Sequence, residues 1–175
     1  MKTDAHTQLQ HIGRNYAVGK SYWICGEEVP LHGGICDVWG MSRALDFRTI
    51  AIEVKISRGD FRSQSHKDKE YATQNGHVLA NEQYILCQEG LISPLEVAEG
   101  WGLLWYDFKQ KRVVNKKRAP VLEMTAERKL QVLLYFLSNG INPKRPLLKE
   151  NSNLVPVFIT EGLFNRTLIP PPPSA

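Results

Sequence analysis

Two carboxylates and a lysine on neighbouring predicted strands are the residues of this sequence whose types and spacing could support chemistry. The apolar run TIAIEVKIS (49–57) carries Glu53 and Lys55, and the run GGICDVWGM (33–41) carries Asp37. Side chains alternate between the two faces of a strand, so Glu53 and Lys55 share one face about 6.5 Å apart and can reach a common ligand. The opposite face of the same strand carries Ile52, Val54 and Ile56.

The two runs are close in sequence and are predicted to pair as an antiparallel hairpin, which would bring Asp37 near Glu53. Like charges opposed across a sheet are destabilising and raise the pKa of one carboxyl unless a cation neutralises them. Lys55 is one candidate cation, and Mg²⁺, which accepts two carboxylates plus waters, is another. A lysine beside such a metal can orient or deprotonate an attacking water. The same alternation places Ile35, Asp37 and Trp39 on one face and Cys36 and Val38 on the other.

Two simpler interpretations of these charges stay open. An E-x-K pattern alone is typical of a solvent-exposed strand face, and the three charges could form an internal ion-pair network. The apolar neighbours Ala51, Ile35 and Trp39 make the face semi-buried, however, and charges in such a place need a partner. Asp37 and Glu53 on different faces would favour the ion-pair network alone.

The rest of the chain predicts a mixed α/β domain in which a polar helix crosses over between two sheet strands. We expect one domain over 1–165 and an extended, disordered Pro-rich tail over 166–175. The last predicted helix is strongly apolar, with Leu130, Leu133, Leu134 and Leu137 expected to face the core. The predicted helices span 3–18, 58–73 and 125–139, and the predicted strands span 33–41, 49–57, 83–87, 100–107 and 112–117, with short strand pieces around Glu27 and Glu28 and a short strand PVFIT (156–160).

Composition favours a cytoplasmic protein that is not embedded in a membrane. The chain has 175 residues and three cysteines without a CxxC pair, which favours reduced intracellular thiols over a disulfide framework. No apolar run approaches the roughly 20 residues of a membrane helix, and the first residues lack the apolar core of a signal peptide. The net charge of +4 weakly favours an anionic partner.

The sequence resembles the PD-(D/E)XK nuclease superfamily and, within it, the MmcB-like DNA-repair family. An Asp on one strand followed by E-x-K on the next carries the superfamily resemblance. The runs EVKISRGDFRS, YILCQEGLISPLEV and EGWGLLWYD carry the family resemblance, which covers residues 28–118. It implies a restriction-endonuclease-like core, a mixed central β-sheet flanked by helices, and a metal-dependent DNA endonuclease or nickase acting in DNA repair.

The resemblance also implies roles for individual residues. Asp37 and Glu53 would ligate Mg²⁺, for which Mn²⁺ could substitute, with the Val54 carbonyl as a further ligand. Lys55 would position or activate the hydrolytic water. Many superfamily members add a Glu from the first helix; the first helix predicted here has none, and Glu28 is the nearest acidic substitute.

DNA is the expected partner, and the segment after the E-x-K strand offers groups for its phosphates. Ser57 also fits a helix cap together with Asp60, and a solvated face is the alternative for the basic residues. A second basic cluster, KQKRVVNKKR (109–118), could hold a DNA backbone or serve solubility. The candidate nucleic-acid-binding residues are Ser57, Arg58, Arg62, Lys67 and Lys69.

A nuclease-fold protein that binds DNA with little or no catalysis is the competing function, because the first helix has no Glu, only Asp4, and because the chain carries two basic clusters. Many related folds cut two strands as dimers, so a homodimer is considered as the assembly.

Overall fold

The computed structural model describes residues 4–31, 34–44 and 46–139, which belong to one compact unit spanning Met1–Ile141. The short strand PVFIT, the domain end at 165 and the Pro-rich tail lie outside the described residues, so those expectations stay predictions. Within the described part the chain forms a six-stranded mixed sheet flanked by helices, and the expected mixed α/β class is confirmed. The elements in chain order are α1 (Asp4–Gly19), β1 (Tyr22–Leu31), β2 (Gly34–Ser42), β3 (Thr49–Lys55), α2 (Arg58–Phe61), α3 (Gln64–Gln74), β4 (Glu82–Gln88), a 3₁₀ turn (Pro94–Glu96), β5 (Gly102–Asp107), β6 (Arg112–Lys117) and α4 (Ala126–Asn139).

The sheet keeps the strands in sequence order, β1-β2-β3-β4-β5-β6. Strands β1, β2 and β3 form an antiparallel meander, β3, β4 and β5 run parallel, and β6 returns antiparallel to β5. The parallel pair β3 and β4 needs a crossover connection, and α2 and α3 supply it as expected. Every residue of β3 is buried, which explains why this strand is nearly continuous in apolar residues.

The two faces of the sheet carry different helices. Helix α1 packs closely on one face, where a Cβ added at Gly13 would lie 3.2 Å from Leu86 Cδ2. The other face holds the main apolar cluster, which includes Trp39, Trp101 and Phe136. Because both faces of the sheet are covered, polar side chains on its central strands are shielded from water and need partners within the protein.

The crossover helix differs from the expected single helix over 58–73. It is broken into α2 and α3, because two serines each provide a helix start. Ser57 Oγ accepts a hydrogen bond from Asp60 N at the start of α2, and Ser63 Oγ accepts one from His66 N at the start of α3. The break changes which residues of the segment share a face.

Strand β1 and helix α4 also differ from expectation. The pieces around Glu27 and Glu28 form one ten-residue strand. In α4 the core receives Val132 and Phe136, whereas the side chains of Leu130 and Leu134 are 53% and 52% exposed. The predicted leucine face is therefore wrong for these two residues, because α4 is apolar on more than one stripe and its periodicity does not decide which stripe is buried.

Substituting Gly102 by Ala should destabilise the fold. A Cβ at Gly102 would lie 2.5 Å from the Tyr84 ring and 2.6 Å from Ala119 N, and overpacking of this kind costs about 1–3 kcal/mol. Urea unfolding measures the difference, with Gly19→Ala as the control because nothing lies within 4 Å of its added Cβ. Equal unfolding midpoints for the two variants would contradict the expected clash.

Candidate functional site

An irregularity shared by β1 and β2 places Asp37. Glu27 pairs with Val38 and Val29 pairs with Cys36, and Glu28, which lies between Glu27 and Val29, has a left-handed φ of 55°. Val38 faces α1, whereas Val29 and Cys36 belong to the apolar cluster on the opposite face. Because two residues apart in a regular strand share a face, the alternation must reverse across Glu28 and Asp37. The expectation that Cys36 and Val38 share a face is therefore wrong.

The Asp37 carboxylate consequently reaches the main chain of the neighbouring strand. The pairing of β2 with β3 stops at Val38 and Ile52, and beyond that point Asp37 Oδ2 accepts a hydrogen bond of 2.8 Å from Val54 N. The side chain thus replaces a main-chain acceptor at the point where the two strands diverge.

Helix α1 holds Asp37 from one side. Gln10 Nε2 donates to the Asp37 main-chain oxygen at 2.8 Å, and His6 Nε2 lies 3.4 Å from Asp37 Oδ1. Gln10 is only 1% exposed. Sequence reasoning missed both residues, although two polar side chains four positions apart on the inward face of a helix are a usable signal.

Glu53 is buried, and its partner is a lysine of α3. Lys69 Nζ lies 2.6 Å from Glu53 Oε1 and donates to the Ile35 carbonyl oxygen at 2.7 Å. Burial raises the pKa of Glu53; the Lys69 ammonium opposes this shift and the Asp37 charge adds to it. Asp37 and Glu53 are therefore close enough to interact electrostatically, as the predicted hairpin required.

Lys55 has a different acidic neighbour. It is buried and shares the face of Glu53, since β3 pairs in regular register with β4. Its Nζ lies 3.6 Å from Asp60 Oδ1, and Asp60 Oδ2 accepts from Ile56 N. The cap formed by Ser57 therefore holds an acid beside Lys55. Of the two lysines, Lys69 forms the close ion pair with Glu53.

The candidate nucleic-acid-binding residues of the crossover segment lie in different environments. Arg58 donates two hydrogen bonds to the Glu96 carboxylate and one to the Leu91 carbonyl oxygen. Through that hydrogen bonding Glu96 raises the pKa of Arg58, and Arg58 lowers the pKa of Glu96. Lys69 is buried, whereas Arg62 and Lys67 are exposed. The helix break at Ser63 separates these residues into different environments.

The donor set suits a hard divalent cation only in part. The residues that the structure describes include no group of three or more His, Cys, Asp or Glu side chains that could hold a metal ion, so Glu28 is not gathered with Asp37 and Glu53. Two carboxylates are nevertheless as many protein ligands as a Mg²⁺ ion usually has, since Mg²⁺ keeps several water ligands. The Lys69 ammonium already forms an ion pair with the buried Glu53 carboxylate, so a metal ion would compete with it there.

Comparison with known proteins adds a fold likeness. No family model matches the chain, and no curated protein matches it. A solved structure of SPO1766, a protein of unknown function from Silicibacter pomeroyi, is similar with a TM-score of 0.60 at 18% sequence identity, over 79% of this chain and 88% of that chain. At this identity the likeness concerns the fold alone. Among the described residues, no helix is long and apolar enough to cross a membrane.

Removing either partner of the Glu53–Lys69 pair should destabilise the fold by about 3–5 kcal/mol, because the remaining charge stays buried without compensation. Urea unfolding of Lys69→Met, Glu53→Gln and the double variant measures the coupling between the two side chains. We expect the double variant to be more stable than Lys69→Met alone. Strictly additive losses would contradict a direct ion pair.

The raised pKa of Glu53 predicts a pH dependence of stability. Below the unfolded pKa of about 4.3 both states are protonated, and the contribution of this group is fully present. As the pH rises from there towards the raised folded pKa, the unfolded state loses its proton first and stability falls. Urea midpoints measured across this range should show the decline in the wild type, a decline reaching higher pH in Lys69→Met, and its loss in Glu53→Gln. An identical pH profile for Glu53→Gln and the wild type would contradict this assignment.

Proposed function

We propose that the chain is a metal-dependent DNA endonuclease or nickase of the repair type, built on a restriction-endonuclease-like core. The observation that carries the proposal is the pair of interacting carboxylates on adjacent strands, Asp37 and Glu53, with Lys55 buried two residues further along the same face. Buried charges of this kind are costly to keep and are concentrated at functional sites. The resemblance to the MmcB-like family supports DNA repair as the context.

The roles follow from the side chains. Asp37 and Glu53, with the Val54 carbonyl, would hold Mg²⁺ or Mn²⁺, which would supply charge stabilisation at a phosphodiester. Lys55 Nζ can donate a hydrogen bond to a water or a phosphate oxygen, and Asp60, at 3.6 Å, restrains the position of that ammonium. His6 and Gln10 fix Asp37 from the helix side. The Lys69 ammonium would have to yield its place on Glu53 to the metal.

A DNA-binding protein of the same fold with little or no catalysis is the second candidate. The close ion pair between Lys69 and Glu53 favours it, because a carboxylate already neutralised by the chain itself has less need of a metal. In that case the three charges would serve stability, and DNA affinity would be independent of Asp37.

The nuclease proposal predicts that the purified chain nicks or cuts DNA with Mg²⁺ or Mn²⁺ and not with EDTA. Lys55→Ala should lower the cleavage rate by about 10²–10⁴-fold, since Lys55 would act on the reacting water or phosphate, and Asp37→Asn should also lower it strongly, since Asp37 would hold the metal. Time courses with a supercoiled plasmid measure nicking and cutting together. Arg43→Gln is the matched control, because Arg43 is exposed and stacks on Trp23, away from Asp37.

Calorimetric titration with Mn²⁺ separates the two candidate functions. Saturable binding that is lost in Glu53→Gln supports the nuclease, whereas the absence of binding to the wild type supports the second candidate. Cleavage that survives in both Asp37→Asn and Lys55→Ala would remove these residues from the site.

A further inference from the structure

The hairpin of β5 and β6 carries a dense positive charge that the proposed catalytic residues do not use. Six of the ten residues 109–118 are Lys or Arg and none is acidic. Lys117 donates to the carbonyl oxygens of Val97 and Ala98 at 2.7 and 3.1 Å, so its charge is engaged by the protein. The exposed members are Lys109, Lys111, Arg112, Lys116 and Arg118.

The topology places the tip of this hairpin at the same end of the sheet as the candidate site. Strands β3, β4 and β5 are parallel, so their last residues, Lys55, Gln88 and Asp107, lie at one end of the sheet. Arg112 pairs with Asp107 at the start of β6. With neighbouring strands about 4.8 Å apart, β6 lies about 14 Å from β3, roughly four nucleotide rises of 3.4 Å along one DNA strand.

The acids near the hairpin are fewer than its five exposed cations, so a net positive charge remains. Asp107 Oδ1 accepts hydrogen bonds from the main-chain nitrogens of Lys109 and Gln110, which fixes the turn. Glu96 forms a two-bond pair with Arg58. Glu89 is exposed and directly follows β4, the strand next to β5.

Aromatic side chains accompany these cations. Lys116 Nζ lies 4.7 Å from the centre of the Trp105 ring, and the Tyr106 and Phe108 rings meet edge to face at 4.8 Å. Phe108 is 42% exposed at the hairpin tip. Basic residues interleaved with aromatic ones are typical of surfaces that hold nucleic-acid strands.

We propose that Lys109, Lys111 and Arg112, named here the hairpin cations, bind the phosphate backbone of a DNA strand that also passes Lys55. This inference rests on the proposed function for the identity of the ligand as DNA, and it adds a second, non-catalytic contact surface. Backbone contacts of this kind position a strand without reading its sequence. The hairpin cations therefore raise affinity for DNA of any sequence and anchor it several nucleotides from the candidate site.

The test measures binding of fluorescently labelled single-stranded and duplex oligonucleotides in EDTA by anisotropy, at several salt concentrations. The triple variant Lys109→Gln/Lys111→Gln/Arg112→Gln should bind about 10- to 100-fold more weakly at low salt. The slope of log K against log salt should fall by about two to three, at about 0.7–0.9 per lost phosphate contact. A circular dichroism melt confirms that the variant is folded.

A second triple variant, Lys20→Gln/Arg43→Gln/Arg48→Gln, removes the same net charge at the opposite end of the sheet, where β2 ends and β3 begins. It should keep the wild-type affinity and slope. An unchanged affinity in the hairpin variant, equal losses in both triple variants, or no DNA binding by the wild type would each overturn the inference. Binding is measured in EDTA, so it is independent of cleavage. DNA binding that depends on the hairpin cations, without any cleavage in Mg²⁺, would support this inference and contradict the nuclease proposal. Cleavage in Mg²⁺ together with DNA affinity that does not depend on the hairpin cations would support the nuclease and contradict this inference.

Discussion

The ion pair between Glu53 and Lys69 is the interaction on which the candidate site depends. Glu53 lies on a strand whose residues are all buried, so its charge cannot be solvated by bulk water. A carboxylate in that position needs a cation or a proton. Lys69 provides the cation through α3 and also ties α3 to β2 through the Ile35 carbonyl oxygen. The same contact thus stabilises the crossover segment and defines the charge balance of the site.

The second constraint is the irregularity at Glu28 and Asp37. In a regular strand the Asp37 side chain would lie on the face opposite that of Cys36 and Val38. The left-handed Glu28 and the reversed alternation instead direct the Asp37 carboxylate towards Val54 N. Interruptions of this kind are common next to functional sites because they re-aim a side chain. Helix α1, through Gln10, holds the main chain in that conformation.

These two features give the two carboxylates of the site different kinds of partner. Asp37 is held by amide and imidazole groups of the chain, whereas Glu53 is held by a full positive charge. A metal ion would compete with a hydrogen bond at Asp37 and with an ammonium at Glu53. Because removing one partner of a buried ion pair costs more than removing a single hydrogen bond, under the proposed function Lys69 would be the main competitor of a metal ion at this site. Its place in the sequence, among exposed polar residues, gave no sign of this.

The sequence by itself determined the mixed α/β class and the strand positions of Asp37, Glu53 and Lys55. It also determined that Glu53 and Lys55 share a face, because these features follow from side-chain periodicity within short segments. It also located Ser57 and Asp60 as a helix cap, which is a contact between close neighbours. Only the tertiary structure decided that Lys69 rather than Lys55 pairs with Glu53, that His6 and Gln10 contact Asp37, and that α4 buries Val132 and Phe136. Each of these contacts joins different elements or selects one of several equivalent faces. Their outcome depends on how helices dock on the sheet and on the single left-handed residue in β1, which no local pattern encodes.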